Sequence, residues 1–168
     1  MTDFSADIRL AQQGDTAAFA RLYESVYKDL YHTAYYSLRS NEHDAADAVS
    51  ETVMDAFASM KNLRKPEAFR SWIFRILSAK IKRKQQEYYR NAEEMMPQDA
   101  AEDFSYASSE LREVLDTLHP TDRLILSLSV LCGYTGEEIG RICEMQPGTV
   151  RSRLSRLKAA LRVQLQYE

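Results

Sequence analysis

Apolar residues recur three and four positions apart along most of the chain, and this spacing constrains the fold more than any other feature. Such spacing gathers apolar side chains on one face of a helix, and no segment shows the sustained alternation of a strand. Only five glycines and four prolines interrupt the 168 residues. The sequence therefore predicts an all-α fold with two small helical domains, each with a modest core.

Helix boundaries are indicated by residues that favour helix ends. Asp15 and Asn41 are expected to cap two long helices, because their side chains can accept a hydrogen bond from the first turn. Pro66 is predicted to stand at the first position of a third helix, where its fixed φ is suitable. Pro120 is expected to begin a further helix, which Gly133 closes.

Residues 91–108 differ from their surroundings in composition. They combine several acidic side chains with a Met-Met-Pro run and a Ser-Tyr-Ala-Ser-Ser stretch, and their periodicity is weak. Such a segment is typical of a flexible linker. We therefore expect an N-terminal domain over 1–90 and a C-terminal domain over 109–168.

Charge is distributed unevenly, although the net charge is only −3. Residues 61–90 carry ten basic side chains against two acidic ones, and residues 141–168 carry six against two. Residues 1–60 and 91–116 are acidic. Two basic segments suggest two places where the phosphates of a nucleic acid are neutralised.

Several classes of function are disfavoured. There is no glycine-rich phosphate loop and no Ser/His/Asp set, so an enzyme is the least expected class. His32, His43 and His119 show no ligand spacing, and neither a metal nor a cofactor is expected. No apolar run approaches the roughly 18 residues of a membrane span. With no secretory signal at its start, the chain is expected to be cytoplasmic and not inserted into a membrane.

The two cysteines, Cys132 and Cys143, lie on either side of a predicted short helix. In a cytoplasmic protein they are expected to be reduced and partly buried. A packing role is the simpler interpretation, and a redox switch is the alternative.

A helix-turn-helix is predicted near the C-terminus. Thr135 and Glu138 have the spacing of a capping box that begins a short helix. Residues 144–146 form a short turn, and Pro147 begins a second helix that runs to about Arg162. Arginines and hydroxyl side chains can bind base edges and phosphates from the outer face of this helix. The candidates are Thr149, Arg151, Ser152, Arg153, Ser155 and Arg156. A merely solvated basic face is the alternative.

Four segments together resemble a known family. Residues 133–140 (Gly-Tyr-Thr-Gly-Glu-Glu-Ile-Gly) and residues 147–157 (Pro-Gly-Thr-Val-Arg-Ser-Arg-Leu-Ser-Arg-Leu) resemble the C-terminal domain of extracytoplasmic-function (ECF) sigma factors, small two-domain subunits of bacterial RNA polymerase. Residues 44–49 resemble the family's segment that docks on the polymerase clamp. Residues 69–76 resemble the helix that handles the −10 promoter element. The motifs occur in the family's order, and the resemblance extends over nearly the whole chain.

The resemblance implies a function and residue roles. The protein would bind core RNA polymerase, direct initiation at promoters through −10 and −35 elements, and be held inactive by an anti-sigma factor. The residues implied for polymerase binding are Asp44, Asp47, Glu51 and Asp55. The residues implied for the −10 element are Asn62, Arg64, Trp72, Arg75, Ser78, Lys82 and Arg83. The alternatives are a solvated acidic face for the first set and a core position for Trp72.

Two positions depart from the family pattern, and two rival functions remain open. Ala79 stands where the family commonly has a polar residue that helps to receive a −10 base. Ser50 stands where it often has glutamine. One rival is a helix-turn-helix repressor or activator that never joins polymerase, and the other is a sigma-like interaction module that has lost DNA binding. Co-purification with core polymerase and run-off transcription would separate these classes.

Overall fold

The computed structural model describes residues 4–92, here called the N-terminal half, and residues 116–166, the C-terminal half. The N-terminal half contains helices α1 (Ser5–Gln12), α2 (Thr16–Ser37), α3 (Glu42–Ala58) and α4 (Phe69–Ala92). The C-terminal half contains α5 (Pro120–Val130), α6 (Gly136–Cys143) and α7 (Pro147–Gln166). Across these two ranges no residue is in a strand, so the prediction of an all-α fold is confirmed.

Two predicted helix caps are present. The Asp15 carboxylate accepts a hydrogen bond from the Ala18 amide at 3.0 Å, and the Asn41 side chain accepts one from the Asp44 amide at 3.0 Å. Helix α1 was not predicted, because it is only 8 residues long and buries just Ile8 and Ala11. A stripe that short is a weak periodic signal.

The third long helix begins later than predicted. Pro66–Ala68 forms a separate 3₁₀ turn, and α4 begins at Phe69. Lys65 is extended, as expected for a residue that precedes proline, and its carbonyl accepts the Ala68 amide at 3.0 Å. The turn therefore redirects the chain before α4 starts. Most of the predicted linker and the expected helix restart near Ser109 lie outside the described residues.

The two halves pack against each other. Helix α2 contacts α1 and α3, while α4 contacts α3; in addition, α5 packs on α2 and α6 packs on α4. The Gln85 side chain spans this contact, donating to the Ser37 carbonyl at 3.0 Å and to the Pro120 carbonyl at 3.1 Å. Buried side chains of both halves form one continuous cluster. We call this packing the closed arrangement.

None of the described helices is long and apolar enough to cross a membrane.

Candidate nucleic-acid interface

Helices α6 and α7 form the predicted helix-turn-helix. Both capping-box hydrogen bonds are present: the Glu138 amide donates to Thr135 Oγ1 at 3.2 Å, and the Thr135 amide donates to Glu138 Oε2 at 3.4 Å. Glu144 ends α6 in the left-handed region with φ 57°. The Met145 amide then donates to the Gly140 carbonyl at 2.8 Å. These bonds fix the angle at which α7 leaves α6.

Gly140 lets the two helices approach closely. A Cβ at this position would lie 2.8 Å from the Met145 carbonyl oxygen and 3.5 Å from Pro147 Cα. Both neighbours are backbone atoms, which cannot move aside by rotating a side chain. The turn therefore requires glycine at position 140.

The predicted apolar stripe of α7 faces inward. Val150, Leu154 and Leu157 are buried, and Leu161 is partly buried against the core cluster. Among the predicted −35 side chains, five are exposed to solvent: Thr149, Arg151, Ser152, Ser155 and Arg156. Their exposure leaves them available to a nucleic acid in the closed arrangement.

Arg153 differs from the other candidates on α7. Its Nη1 lies 2.8 Å from Asp122 Oδ1 on α5, and its side chain is 33% exposed. The ion pair ties α7 to α5. Arg153 therefore has a structural contact that the sequence did not indicate.

A basic cavity of about 370 Å³ is bounded by residues 62–65, by the first turns of α4 and by the last turn of α6. The structure brings four predicted −10 residues to this cavity, namely Asn62, Arg64, Trp72 and Arg75. Arg141 of α6 also lines it and was not predicted. Cationic groups beside an indole ring are the components of a site for unpaired bases.

Trp72 contacts the core and also lines the basic cavity. Its ring centroid lies 6.2 Å from that of Phe69, and its side chain is partly buried against the core cluster. It also lines the basic cavity. The indole therefore packs on the core and remains reachable from the cavity.

The other three predicted −10 residues lie elsewhere. Ser78 is 2% exposed and its Oγ donates to Cys143 Sγ at 3.7 Å. Lys82 Nζ donates to the Cys143 carbonyl at 2.5 Å. Arg83 Nη2 pairs with Glu51 Oε2 on α3 at 2.5 Å. In the closed arrangement, α6 covers the face of α4 that carries Ser78 and Lys82.

Each predicted polymerase-binding acid on α3 contacts a donor on α4. The contacts are Lys80 Nζ to Asp55 Oδ2 at 2.5 Å, Arg83 to Glu51 at 2.5 Å, Lys84 Nζ to Asp47 Oδ2 at 3.0 Å, and the Tyr88 hydroxyl to Asp44 Oδ2. The hydrogen bond from Lys84 lowers the pKa of Asp47. The Asp47 and Asp55 side chains remain 55% and 54% exposed. The acids therefore join two helices and also face solvent.

Arg70 and Tyr134 form a contact between the halves that the sequence did not reveal. Arg70 Nη2 pairs with Asp29 Oδ2 at 2.6 Å, and its Nε donates to the Tyr134 hydroxyl at 3.1 Å. The guanidinium also lies 5.6 Å from the Tyr134 ring centroid and 5.7 Å from that of Phe74. Burial raises the pKa of Tyr134 to about 12, although the hydrogen bond from Arg70 opposes that rise.

Both cysteines of the C-terminal half face the N-terminal half. Cys132 Sγ lies 3.3 Å from Thr33 Oγ1 on α2, while Cys143 contacts Ser78 on α4. Burial raises the pKa of both thiols. Both are free thiols that pack at the contact between the halves.

Comparison with known proteins gives matches over both halves. The Sigma-70 region 2 family matches residues 22–93, and the Sigma-70, region 4 family matches residues 108–161. RNA polymerase sigma factor SigV of Bacillus subtilis is 31% identical, covering 84% of this chain and 87% of its own. ECF RNA polymerase sigma factor SigW of the same organism is 26% identical, covering 94% of each chain.

Two solved structures share the fold. CnrH in complex with the cytosolic domain of CnrY has a TM-score of 0.71 and 21% identity, over 99% of this chain and 98% of that one. Sigma factor RpoE in complex with the anti-sigma factor NepR from Bartonella quintana has a TM-score of 0.74 and 24% identity, over 88% and 96%.

A helix-turn-helix whose second helix has an exposed basic face is typical of a DNA-binding protein. With the matches to sigma regions 2 and 4 and to SigV, the chain belongs to the ECF RNA polymerase sigma factors. It is a transcription initiation factor that binds core RNA polymerase and directs initiation at specific promoters.

Proposed function

We propose that this sigma factor uses two separate surfaces on a promoter, the exposed face of α7 for the −35 element and the basic cavity for the −10 element. Residues 1–90 and 109–168 form the two binding domains, and 91–108 is the linker between them. The observation that carries the proposal is the convergence of Asn62, Arg64, Trp72 and Arg75 on one cavity.

For the −35 element, Arg151 and Arg156 are the leading candidates because both are exposed on α7. Arginine binds guanine edges or phosphates through paired hydrogen bonds, and a good bidentate contact contributes about 1–3 kcal/mol. We assign Arg153 mainly to holding α7 against α5 through Asp122.

Arg151→Ala or Arg156→Ala is expected to weaken binding of a −35 duplex about tenfold, with the affinity for core polymerase unchanged. Fluorescence anisotropy with the duplex measures the first quantity, after transcription start mapping has identified the element. Arg153→Ala is the matched comparison and should mainly lower the melting temperature. Loss of polymerase binding with retained DNA affinity would contradict this division of roles.

For the −10 element, the basic cavity has the components to hold a base from the opened strand. Stacking of a base on an aromatic ring contributes about 1–3 kcal/mol. Arg64 and Arg75 lie beside Trp72 in the cavity and would neutralise the adjoining phosphates. The methyl side chain of Ala79 cannot form a hydrogen bond with a base, so base preference would depend on other side chains.

Trp72→Leu is expected to reduce the affinity of the holoenzyme for a single-stranded −10 oligonucleotide about tenfold, because leucine preserves apolar burial and removes the stacking surface. Filter binding measures the affinity, and thermal melting of the free chain measures the core contribution. A lowered melting temperature with unchanged oligonucleotide affinity would assign Trp72 to the core alone.

Docking on polymerase is assigned to the exposed face of α3. This face carries Met54, which is 68% exposed, and Phe57, which is 37% exposed, beside the acids Asp47, Glu51 and Asp55. Exposed apolar side chains with a polar rim are typical of protein interfaces. The acids support this surface in two ways, by their charge and by fixing α3 on α4.

Full engagement of the −10 element requires the closed arrangement to open, which removes Arg141 from the basic cavity and leaves Asn62, Arg64, Trp72 and Arg75 on the N-terminal half. Ser78 and Lys82 reach DNA only after α6 leaves α4, since both now contact Cys143. The contacts that must break include buried apolar packing of α5 on α2 and of α6 on α4, together with polar contacts such as Arg75 with Glu144 at 2.6 Å. Exposed ion pairs contribute at most about 1 kcal/mol each, so the polar part of this contact is easily exchanged.

Regulation by an anti-sigma factor is part of the proposal. RpoE was solved with the anti-sigma factor NepR, and CnrH with the cytosolic domain of CnrY. A partner of that kind would favour the closed arrangement of this chain. The protein would act in the cytoplasm, where polymerase and chromosome meet, and would carry out no covalent chemistry itself.

A further inference from the structure

A second cavity lies where the two halves meet, and it shares no lining residue with the basic cavity. It has a volume of about 270 Å³ and is bounded by the turn after α2, the last turns of α4 and the start of α5. Arg39, Tyr88 and Tyr89 line it from the N-terminal half, and Arg123 lines it from the C-terminal half. We call it the junction cavity.

Arg123 is a buried cation at the wall of the junction cavity. Arg123 is only 6% exposed to solvent. Its Nε and Nη2 donate to the Leu118 carbonyl at 3.3 Å and 3.2 Å. Burial, and then the nearby charge of Arg39, lower the pKa of Arg123, against the attraction of Asp116. A buried charge is costly unless an opposite charge is close to it.

The two arginines of the junction cavity have no carboxylate partner among the described residues. Within those residues, no carboxylate oxygen lies within 4.0 Å of the guanidinium of Arg39 or of Arg123. Asp116 lines the cavity but lies beyond ion-pair distance of both. The positive end of the α5 dipole adds to the local potential. Among the described lining residues, two arginines stand against one aspartate, so their net charge is positive.

Arg39 is held in an unusual backbone conformation beside the cavity. Its φ is 59°, in the left-handed region, and the next residue, Ser40, has φ 58°. Arginine seldom adopts this conformation without support from its surroundings. The Ser40 amide donates to the Tyr35 carbonyl at 2.8 Å, which fixes the turn and places Arg39 at the cavity.

We propose that the junction cavity binds the phosphate group of a small molecule between Arg39 and Arg123. Guanidinium groups bind phosphate through paired, charge-assisted hydrogen bonds, and two of them match its double charge. Tyr89 is 58% exposed at the cavity and offers a ring on which a base can stack. A nucleoside phosphate and inorganic phosphate share this chemistry.

Bound phosphate would link the two halves. Because Arg39 belongs to the N-terminal half and Arg123 to α5, a shared ligand favours the closed arrangement and opposes opening. This consequence rests on the proposed function, whereas the binding site itself does not. Binding to the isolated chain therefore tests the site independently of transcription.

The test uses the full chain and titration calorimetry at constant ionic strength. Inorganic phosphate is the first ligand and adenosine monophosphate the second. At least one is expected to bind saturably with one site per chain. Arg39→Gln keeps a long side chain in the same turn and is expected to weaken binding tenfold or more. Arg9→Gln, an exposed arginine on α1 that does not line the cavity, is the matched control and should bind as the parent does.

The two ligands separate the sources of the phosphate. Tighter binding of adenosine monophosphate assigns a nucleoside phosphate, and equal or weaker binding assigns free phosphate. Arg123→Lys is a second variant, which retains a buried cation but loses the paired geometry, and it should also bind more weakly. The proposal is overturned if neither ligand binds, including the case in which only the acidic peptide hexaglutamate binds. It is also overturned if Arg39→Gln binds the phosphate ligand as tightly as the parent does.

Discussion

A disulfide that joins the two halves is expected to abolish promoter-directed transcription until it is reduced. Thr33→Cys introduces a thiol on α2 opposite Cys132, because Thr33 Oγ1 and Cys132 Sγ are already 3.3 Å apart. Disulfide formation brings the two sulfur atoms to about 2.05 Å, which requires only a small local movement. Thr33 is fully buried, and cysteine is of similar size, so the folded chain should accept the substitution.

The expected loss follows from the surface that the closed arrangement covers. While α6 lies on α4, Ser78 and Lys82 are held against Cys143 and cannot meet DNA. Run-off transcription with core polymerase should fall to the level set by the fraction of chains without the disulfide. Treatment with dithiothreitol should restore it. Electrophoresis without reductant measures the cross-linked fraction in the same samples.

Matched variants separate the cross-link from the substitution. Thr33→Cys combined with Cys132→Ser cannot form the bond and should remain active under oxidising conditions. Ser78→Cys offers a second lock through Cys143, whose Sγ lies 3.7 Å from Ser78 Oγ. Full transcription by a completely cross-linked Thr33→Cys protein would show that the closed arrangement is compatible with initiation, and opening would then have no role.

The helix-turn-helix was predictable from the sequence because its signals are local. Thr135 and Glu138 form the predicted capping box, and the predicted turn at residues 144–146 separates α6 from α7. Val150 and Leu154 mark the buried stripe four residues apart. Each signal acts over one or two turns of helix, so neighbouring residues determine it without reference to the rest of the fold.

The partners of the charged residues were not predictable in the same way. Periodicity shows which face of a helix is polar, but it does not show what that face meets. Arg83 was predicted to meet the −10 element, and it pairs with Glu51. Arg153 stands among exposed arginines in the sequence, and it pairs with Asp122. Contacts over such sequence separations depend on how whole helices pack.

Helix α4 shows why its basic segment allowed several interpretations. One side of the helix pairs with the acids of α3, a second side with Ser78 and Lys82 meets α6, and its first turns place Trp72 at the basic cavity. The sequence of this helix is basic on all these sides. The structure divides the basic residues among a contact within the N-terminal half, a contact between the halves and a candidate DNA site.

A single methyl group at position 140 is expected to disrupt the helix-turn-helix. In Gly140→Ala the new Cβ would lie 2.8 Å from the Met145 carbonyl oxygen, and the Met145 amide is itself bonded to the Gly140 carbonyl at 2.8 Å. Because the carbonyl and the amide of Met145 both belong to the backbone, relief of this close contact requires α7 to move relative to α6. Overpacking of this kind costs about 1–3 kcal/mol, which lowers the melting temperature by about 2–12 °C for a chain of this size. Affinity for −35 DNA should fall with it.

Two other glycines in the same motif provide the controls. A Cβ added at Gly148 would meet no described heavy atom within 4 Å, so Gly148→Ala should melt at the same temperature or slightly higher. Gly136→Ala would meet Arg151 Cγ at 2.8 Å, a flexible side chain that can turn away. It should therefore weaken DNA binding more than it lowers stability. Equal melting temperatures for Gly140→Ala and Gly148→Ala would show that the close approach of α6 and α7 does not fix the angle of the recognition helix.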